Sequence, residues 1–161
     1  MVPIIRILGR SGSGKTTFIE AFVRACPSLS VVVVKHSRTT MDPPTPMKDT
    51  ARHFAAGAVA SLGLSPGYAE LLVRPEQAIP FERALAALGW LLQRPPDLVL
   101  IEGARDRDLP TILLGPLPPR ATRGTILLRL PARPVFDRRL AEMVLAEVMA
   151  LKARVALNAE A

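Results

Sequence analysis

The chain has 161 residues and a formal net charge of +7, and 49% of its residues are hydrophobic, which suffices for one domain, 1–161, with a proper core. No apolar run reaches the ~18 residues that a membrane-spanning helix needs, and the N-terminus lacks a signal-peptide pattern. The arginines are scattered and aromatic residues make up only 4% of the chain, so the charge favours nucleotide phosphates or an acidic partner over nucleic acid. The single cysteine, Cys26, cannot form an internal disulfide, which favours a reducing cytoplasm.

A strand, a glycine loop and a helix are predicted, in that order, between Ile4 and Phe18. The sequence GRSGSGKT, which begins at Gly9, fits the phosphate-loop pattern G-x-x-x-x-G-K-[ST]. Glycines allow backbone N–H groups to approach phosphate oxygens, and the helix that begins near Gly14 points its positive end at them. A plain Gly/Ser turn is the alternative, but the apolar strand before the loop and the helical periodicity after it argue against that. The loop residues predicted to bind nucleotide are Gly9, Arg10, Ser11, Gly12, Ser13, Gly14, Lys15, Thr16 and Thr17.

Three side chains of this loop have predicted roles of their own. Lys15 should reach the β- and γ-phosphates, which makes it a catalytic candidate, and the hydroxyl of Thr16 should take one Mg²⁺ position. Arg10 has two interpretations: a solvent-exposed arginine at the loop tip, or an arginine finger for phosphates of its own or a neighbouring subunit.

The next predicted elements lead away from this loop. The first helix is predicted over 14–25, because a proline follows it closely. The valine run over 31–34 predicts a strand that is buried on both faces, as in a parallel sheet. Lys35 and His36 follow at its carboxyl end, where open α/β sheets bind ligands, and both are predicted to contact phosphate or to position a partner's substrate. The Pro- and Thr-rich loop 37–47 is expected to lie exposed beside the nucleotide.

Predicted helices and strands alternate along the rest of the chain. Trp90, in an amphipathic helix over 81–92, is expected to pack in the core, and a helix over 134–155 follows the last strand. This alternation predicts a three-layer α/β fold of the P-loop NTPase type, with a mostly parallel sheet flanked by helices. The other predicted elements are a helix over 48–56 and strands over 59–62, 71–73, 97–103, 111–114 and 125–130.

Glu102 closes an apolar strand and is the acid expected to act together with the phosphate loop. An acid in that place orients Mg²⁺, its waters or the attacking water, so catalytic and metal-binding roles are predicted for Glu102, with Thr16 as the second metal ligand. Gly103 permits a tight turn near a bound nucleotide. A solvated acid at a strand end is the alternative. Asp97 is the weaker candidate, because it starts the same strand and is expected on the far side of the sheet.

These features together resemble one family, the molybdopterin-guanine dinucleotide biosynthesis adapter proteins (MobB). The order and spacing of short motifs agree with that family over about the first two thirds of the chain. Many families share the phosphate loop, whereas the combination of motifs is far more specific. The motifs are GRSGSGKTT, Lys35-His36, Met41-Asp42, Pro46, Lys48-Asp49-Thr50, Ala56-Gly57-Ala58 and the stretch DLVLIEG over 97–103.

The resemblance implies a protein that binds GTP with Mg²⁺, hydrolyses it weakly and assists the attachment of GMP to the molybdenum cofactor. It also implies a homodimer that works with the molybdopterin guanylyltransferase, and molybdoenzyme maturation proteins are further candidate partners. By resemblance, residues 12–17 hold the phosphates and Mg²⁺, and Glu102-Gly103 form the Mg²⁺ or water side. Lys35, His36 and Asp49 are expected to line the site beyond the second strand.

A small P-loop kinase for a metabolite is the alternative function. Such kinases carry an arginine-rich lid, and the charged stretch 105–108 is short for that purpose. A third interpretation, nucleic-acid binding, predicts strongly salt-dependent affinity for oligonucleotides, and only weak, unspecific binding is expected.

Overall fold

The computed structural model of the protein describes residues 2–37, 49–92, 94–117 and 122–157. Contacts within the chain form two compact units, Met1–Arg38 with Leu92–Ala161, and Thr39–Leu91. The predicted loop 37–47 lies, apart from its first residue, outside the described residues. The prediction of a single nucleotide-binding domain over 1–161 stays a prediction.

The described helices and strands agree closely in type and place with those expected from the sequence. Of the helices in the described ranges, none is long and apolar enough to cross a membrane. In chain order the elements are β1 (Ile4–Gly9), α1 (Lys15–Ala25), β2 (Val31–His36), α2 (Asp49–Ala55), β3 (Ala60–Ser65), β4 (Tyr68–Val73), α3 (Phe81–Leu92), β5 (Leu98–Gly103), β6 (Thr111–Leu114), β7 (Ile126–Leu130) and α4 (Arg138–Leu157).

The first unit is built on a five-stranded sheet with the strand order β2-β5-β1-β6-β7, and every pair is parallel. One face of β1, β5 and β6 shares an apolar core with α1 and α4, centred on buried residues such as Ile7, Phe22 and Val148. The predicted α/β class, a mostly parallel sheet flanked by helices, is therefore confirmed. The strand order places β1, which leads into the glycine loop, between β5 and β6.

The second strand differs from its prediction in burial. Among the strands that the structure describes, β2 lies at the edge of the sheet and pairs with β5 alone, and Val33 is 48% exposed. The prediction that this valine run is buried on both faces was wrong, because β-branched runs occur on edge strands as well as in the middle of a sheet.

The second unit contains α2, α3 and an antiparallel hairpin of β3 and β4. Thr50 of α2 donates to the Glu70 carboxylate at 2.5 Å, which ties the helix to one face of the hairpin. The cross-strand pairs Leu62–Leu71 and Ala60–Val73 belong to a set of hairpin side chains that is largely exposed, with Leu62 at 53%. Trp90 is 88% exposed, so the expectation that it packs in the core was wrong.

Polar side chains determine two local boundaries of the first unit. The Asp137 carboxylate accepts a hydrogen bond from the backbone N–H of Leu140 at 2.8 Å and caps α4, so that helix begins later than predicted.

Asp97 accepts from Lys152 Nζ at 2.9 Å and from the Ser30 backbone N–H at 3.0 Å. The Lys152 hydrogen bond is the main cause that lowers the pKa of Asp97. Asp97 therefore has a structural role at the amino end of β5.

A buried arginine joins β1 to the loops that follow β5. Arg6 is fully buried, and its Nε and Nη2 donate to Thr111 Oγ1 at 3.0 and 2.7 Å. Its Nη1 donates to the carbonyls of Ala104 at 2.8 Å and Arg107 at 2.6 Å, and Nη2 also donates to the carbonyl of Arg123. Burial lowers the pKa of Arg6, and the nearby Asp108 and Asp106 act against that shift. All five N–H groups of the guanidinium therefore have acceptors.

Candidate functional site

The glycine loop lies at the carboxyl end of β1 and leads directly into α1. Gly14 caps α1 in the left-handed region, with φ at 84°, and the Phe18 N–H donates to its carbonyl at 2.9 Å. A side chain is disfavoured at this φ, and a Cβ there would also come within 3.1 Å of the Arg133 Cα. The N-terminus of α1 therefore lies at the end of the glycine loop, and the N-terminus of a helix favours the binding of phosphate.

Ser13 supplies a buried polar group inside the loop. It is 5% exposed, and its Oγ has no hydrogen-bond partner in the described part of the chain. The hydroxyl faces Gly9, where a Cβ would lie 2.3 Å from the Ser13 Oγ, so the close packing of this side chain under the loop requires glycine at position 9.

Lys15 is folded back onto the loop that precedes it. Its Nζ donates to the carbonyl of Arg10 at 2.9 Å and to that of Gly9 at 3.3 Å. The ammonium is therefore held at the loop by neutral carbonyl oxygens, and a phosphate oxygen in their place would add the attraction between opposite charges to the hydrogen bond.

Thr16 and Glu102 meet although 86 residues separate them: Thr16 Oγ1 donates to Glu102 Oε2 at 3.1 Å. Pairing of β1 with β5 brings the carboxyl end of β5 beside the loop, with Ile7 opposite Glu102. The structure thus joins the two residues predicted to bind the metal. An oxygen pair of this kind, a hydroxyl and a carboxylate, is what Mg²⁺ prefers, so the side chains fit the ion directly or through its waters.

The end of β2 lies next to this pair. In the parallel register Lys35 is opposite Glu102 and His36 is opposite Gly103. A Cβ on Gly103, whose φ is 101°, would come within 2.4 Å of the His36 carbonyl oxygen, so only glycine permits this close approach. Lys35 is exposed and His36 is half-buried, and their contact with phosphate stays a prediction.

The side chains of two other predicted site residues have no described contact with a member of the loop. Asp49 begins α2 in the second unit and lies 3.5 Å from Arg52 in an exposed ion pair. Arg10 is exposed, and its backbone carbonyl is the acceptor for Lys15. Neither observation tests the predicted ligand contacts of these two side chains.

A cavity of about 660 Å³ opens in front of the loop, and it is lined in part by residues that the sequence did not indicate. Arg133, Pro134 and Phe136, from the segment between β7 and α4, form one wall of it. The Phe136 ring packs edge-on against Phe18 of α1, with ring centroids 5.4 Å apart. The position of this segment in the sequence was the missed signal: it follows the carboxyl end of a parallel strand, and Glu102 and His36 lie at the same ends of β5 and β2. The remaining lining residues are Ser11, Gly12, Gly14, Lys15, Thr16, Thr17, Phe18 and Glu102.

These features define the P-loop class of α/β proteins. The glycine loop follows the central strand β1 and leads to Lys15 and Thr16, and Thr16 bonds to Glu102 of the adjacent strand β5. The cavity has room for a nucleotide in front of the loop.

The chain belongs to the MobB family, because the family model described as "Molybdopterin guanine dinucleotide synthesis protein B" matches residues 4–116. A "Molybdopterin-guanine dinucleotide biosynthesis adapter protein" of Haemophilus influenzae is 32% identical over 115 residues, which are 70% of this chain. That match spans only 63% of the length of the Haemophilus protein. The resemblance drawn from the motifs is thereby confirmed, and the match covers the region where those motifs lie.

Solved structures of the same family share the fold. The crystal structure of Bacillus subtilis MobB has a TM-score of 0.70 and 23% sequence identity, covering 90% of this chain and 97% of its own. A MobB homologue from Bacillus stearothermophilus has a TM-score of 0.60 and 21% identity, covering 91% and 98% of the two chains. At these identities the likeness concerns the fold alone.

Proposed function

We propose that this protein is a GTP-binding adapter with weak GTPase activity that assists the attachment of GMP to molybdopterin. The observation that carries the proposal is the hydrogen bond of 3.1 Å between Thr16 and Glu102 at the mouth of a phosphate loop, in a chain of the MobB family. The name of the Haemophilus relative, a biosynthesis adapter protein, supports the pathway.

Lys15, Thr16 and Glu102 are the residues we assign to the triphosphate and Mg²⁺. Lys15 would bind the β- and γ-phosphates, while Thr16 and Glu102 would hold the ion or its waters. Mg²⁺ bound there would neutralise phosphate charge and polarise the reacting phosphoryl group. The loop N–H groups and the α1 N-terminus would bind the remaining phosphate oxygens. Because these groups only position and neutralise, hydrolysis should be slow.

Replacing Glu102 by glutamine should separate hydrolysis from binding. Glutamine keeps the size of the side chain and an acceptor for Thr16, but it removes the negative charge that would hold Mg²⁺ or its waters. We expect GTP hydrolysis to fall about 10- to 100-fold, while GTP affinity changes by less than about threefold. Single-turnover hydrolysis and titration of the same preparation measure both quantities, with the exposed Glu142→Gln as control. Hydrolysis at the wild-type rate in Glu102→Gln would remove this acid from the mechanism.

As partners we propose the molybdopterin guanylyltransferase, with molybdoenzyme maturation proteins as further candidates, and a second copy of this chain. Support for the homodimer comes from the hairpin of β3 and β4, where Leu64 is 74% and Leu71 is 49% exposed beside Leu62. Monomeric proteins rarely leave such an apolar face open. The cytoplasm is the proposed location, and the buried free thiol of Cys26 suits a reducing compartment.

Calorimetric titration of the purified protein with GTP and, separately, ATP, each with Mg²⁺, tests the proposal. Light scattering of the same sample tests the proposed homodimer, and we expect it to give the mass of two chains. We expect saturable binding with a clear preference for GTP, and stimulation of a molybdopterin guanylyltransferase by the protein. A preference for ATP, with turnover only when a metabolite acceptor is added, would replace the adapter by the kinase.

A further inference from the structure

The segment between β7 and α4 contains a residue in an unfavourable backbone conformation. Arg133 has φ at 51°, in the left-handed region that residues other than glycine rarely adopt, and Pro134 follows it. Proline favours extended conformations in the preceding residue, so both the side chain of Arg133 and the proline after it disfavour this backbone conformation. Conformations of this kind persist where the surroundings impose them, and they are concentrated at ligand-binding sites.

The phosphate loop itself imposes this conformation. The Arg133 backbone N–H donates to the Ser13 carbonyl at 2.8 Å, and its Nε donates to the Gly12 carbonyl at 2.9 Å. The backbone of Arg133 also packs on Gly14, where a Cβ would lie 3.1 Å from the arginine Cα. Three loop residues thus contact this arginine, which comes from the other end of the chain.

The guanidinium of Arg133 keeps donors available for a ligand. Within the described residues only its Nε has an acceptor, which leaves the four N–H groups of Nη1 and Nη2. The side chain is exposed and lines the same cavity as Lys15 and Thr17. A guanidinium with two free nitrogens matches the geometry of phosphate oxygens better than any other side chain.

We propose that Arg133 is a phosphate-binding residue of the nucleotide site, a second cation that acts beside Lys15. The assignment rests on the proposed nucleotide binding, but it concerns a residue outside the loop motif. Arg133 would hold the nucleotide from the side opposite Glu102. It would also hold the loop in shape through the two carbonyls that it already binds.

Four variants test this assignment: Arg133→Ala, Arg133→Gln, Arg133→Lys and, as control, Arg139→Ala, which removes an exposed arginine from α4. Glutamine retains a neutral donor for the Gly12 carbonyl, whereas lysine retains the charge. Each is titrated with GTP and with Mg²⁺-pyrophosphate, which offers the phosphate chemistry without a base. Thermal melting verifies that the variants fold.

We expect Arg133→Ala and Arg133→Gln to weaken both ligands by about tenfold, Arg133→Lys to recover part of that loss and Arg139→Ala to match wild type. If Arg133→Gln binds both ligands as wild type does, Arg133 only supports the loop. If Arg133→Ala binds pyrophosphate with unchanged affinity, Arg133 does not bind phosphate. Either result overturns the assignment. If wild type prefers ATP, the proposed function fails, while the pyrophosphate titrations still decide the role of Arg133.

Discussion

Lys15→Ala should abolish most of the GTP affinity, with a loss of about 30- to 100-fold. The ammonium of Lys15 now donates to the carbonyls of Arg10 and Gly9, at 2.9 and 3.3 Å. Hydrogen bonds of an ammonium to a neutral carbonyl and to a phosphate oxygen both involve a charged group and contribute about 1.5–3 kcal/mol. Phosphate adds the attraction between opposite charges, so the exchange toward phosphate is favourable. Alanine removes that gain, and water can reach the carbonyls that the lysine leaves.

Titration calorimetry with GTP and Mg²⁺ measures the effect, and Lys152→Ala is the matched control. This control also removes one positive charge, but the ammonium of Lys152 pairs with Asp97 at the amino end of β5. The control should therefore bind GTP with nearly the wild-type affinity, even if its melting temperature falls. A Lys15→Ala protein that is folded and binds GTP within about threefold of wild type would contradict the assignment of the loop as the triphosphate site.

Arg6→Met should cause the largest loss of stability among the substitutions considered. Methionine fills a similar volume, but it leaves Thr111 Oγ1 and the carbonyls of Ala104, Arg107 and Arg123 without their donor. We expect the free energy of unfolding to fall by about 3–5 kcal/mol, a large share of the ~5–15 kcal/mol typical of a whole protein.

Chemical denaturation gives this value from the shift of the midpoint at constant slope. Arg6→Lys should be intermediate, because an ammonium has three donors and no planar fork, and the exposed Arg139→Met should be neutral. A loss below about 1 kcal/mol in Arg6→Met would show that water can replace the arginine in this network.

Features carried by a continuous stretch of sequence were predicted well. The phosphate loop and the strand that carries Glu102 near its end are local patterns, since each depends on residues close in the chain, and both elements lie where they were expected. The same applies to α3, whose helical periodicity predicted the observed Phe81–Leu92. The burial of side chains was predicted less well, because burial depends on what packs against an element: Trp90 and Val33 are both exposed.

Residues whose partners are remote in the chain were missed. Arg133 contacts Gly12 across 121 positions, and Arg6 contacts Thr111 across 105. An arginine within an apolar strand, or after a strand, has no local signature that distinguishes it from a solvated side chain. Only the packing of loops from the second half of the chain onto β1 reveals either role.

The sequence by itself determined the type of each element, the phosphate loop and the family, because short motifs and hydrophobic periodicity act over a few neighbouring residues. The tertiary structure alone decided the strand order β2-β5-β1-β6-β7. That order brings Glu102 to Thr16 and sets the segment after β7 against the loop, so that Arg133 faces the cavity. Strand order follows from the packing free energy of the whole chain, which no local stretch contains.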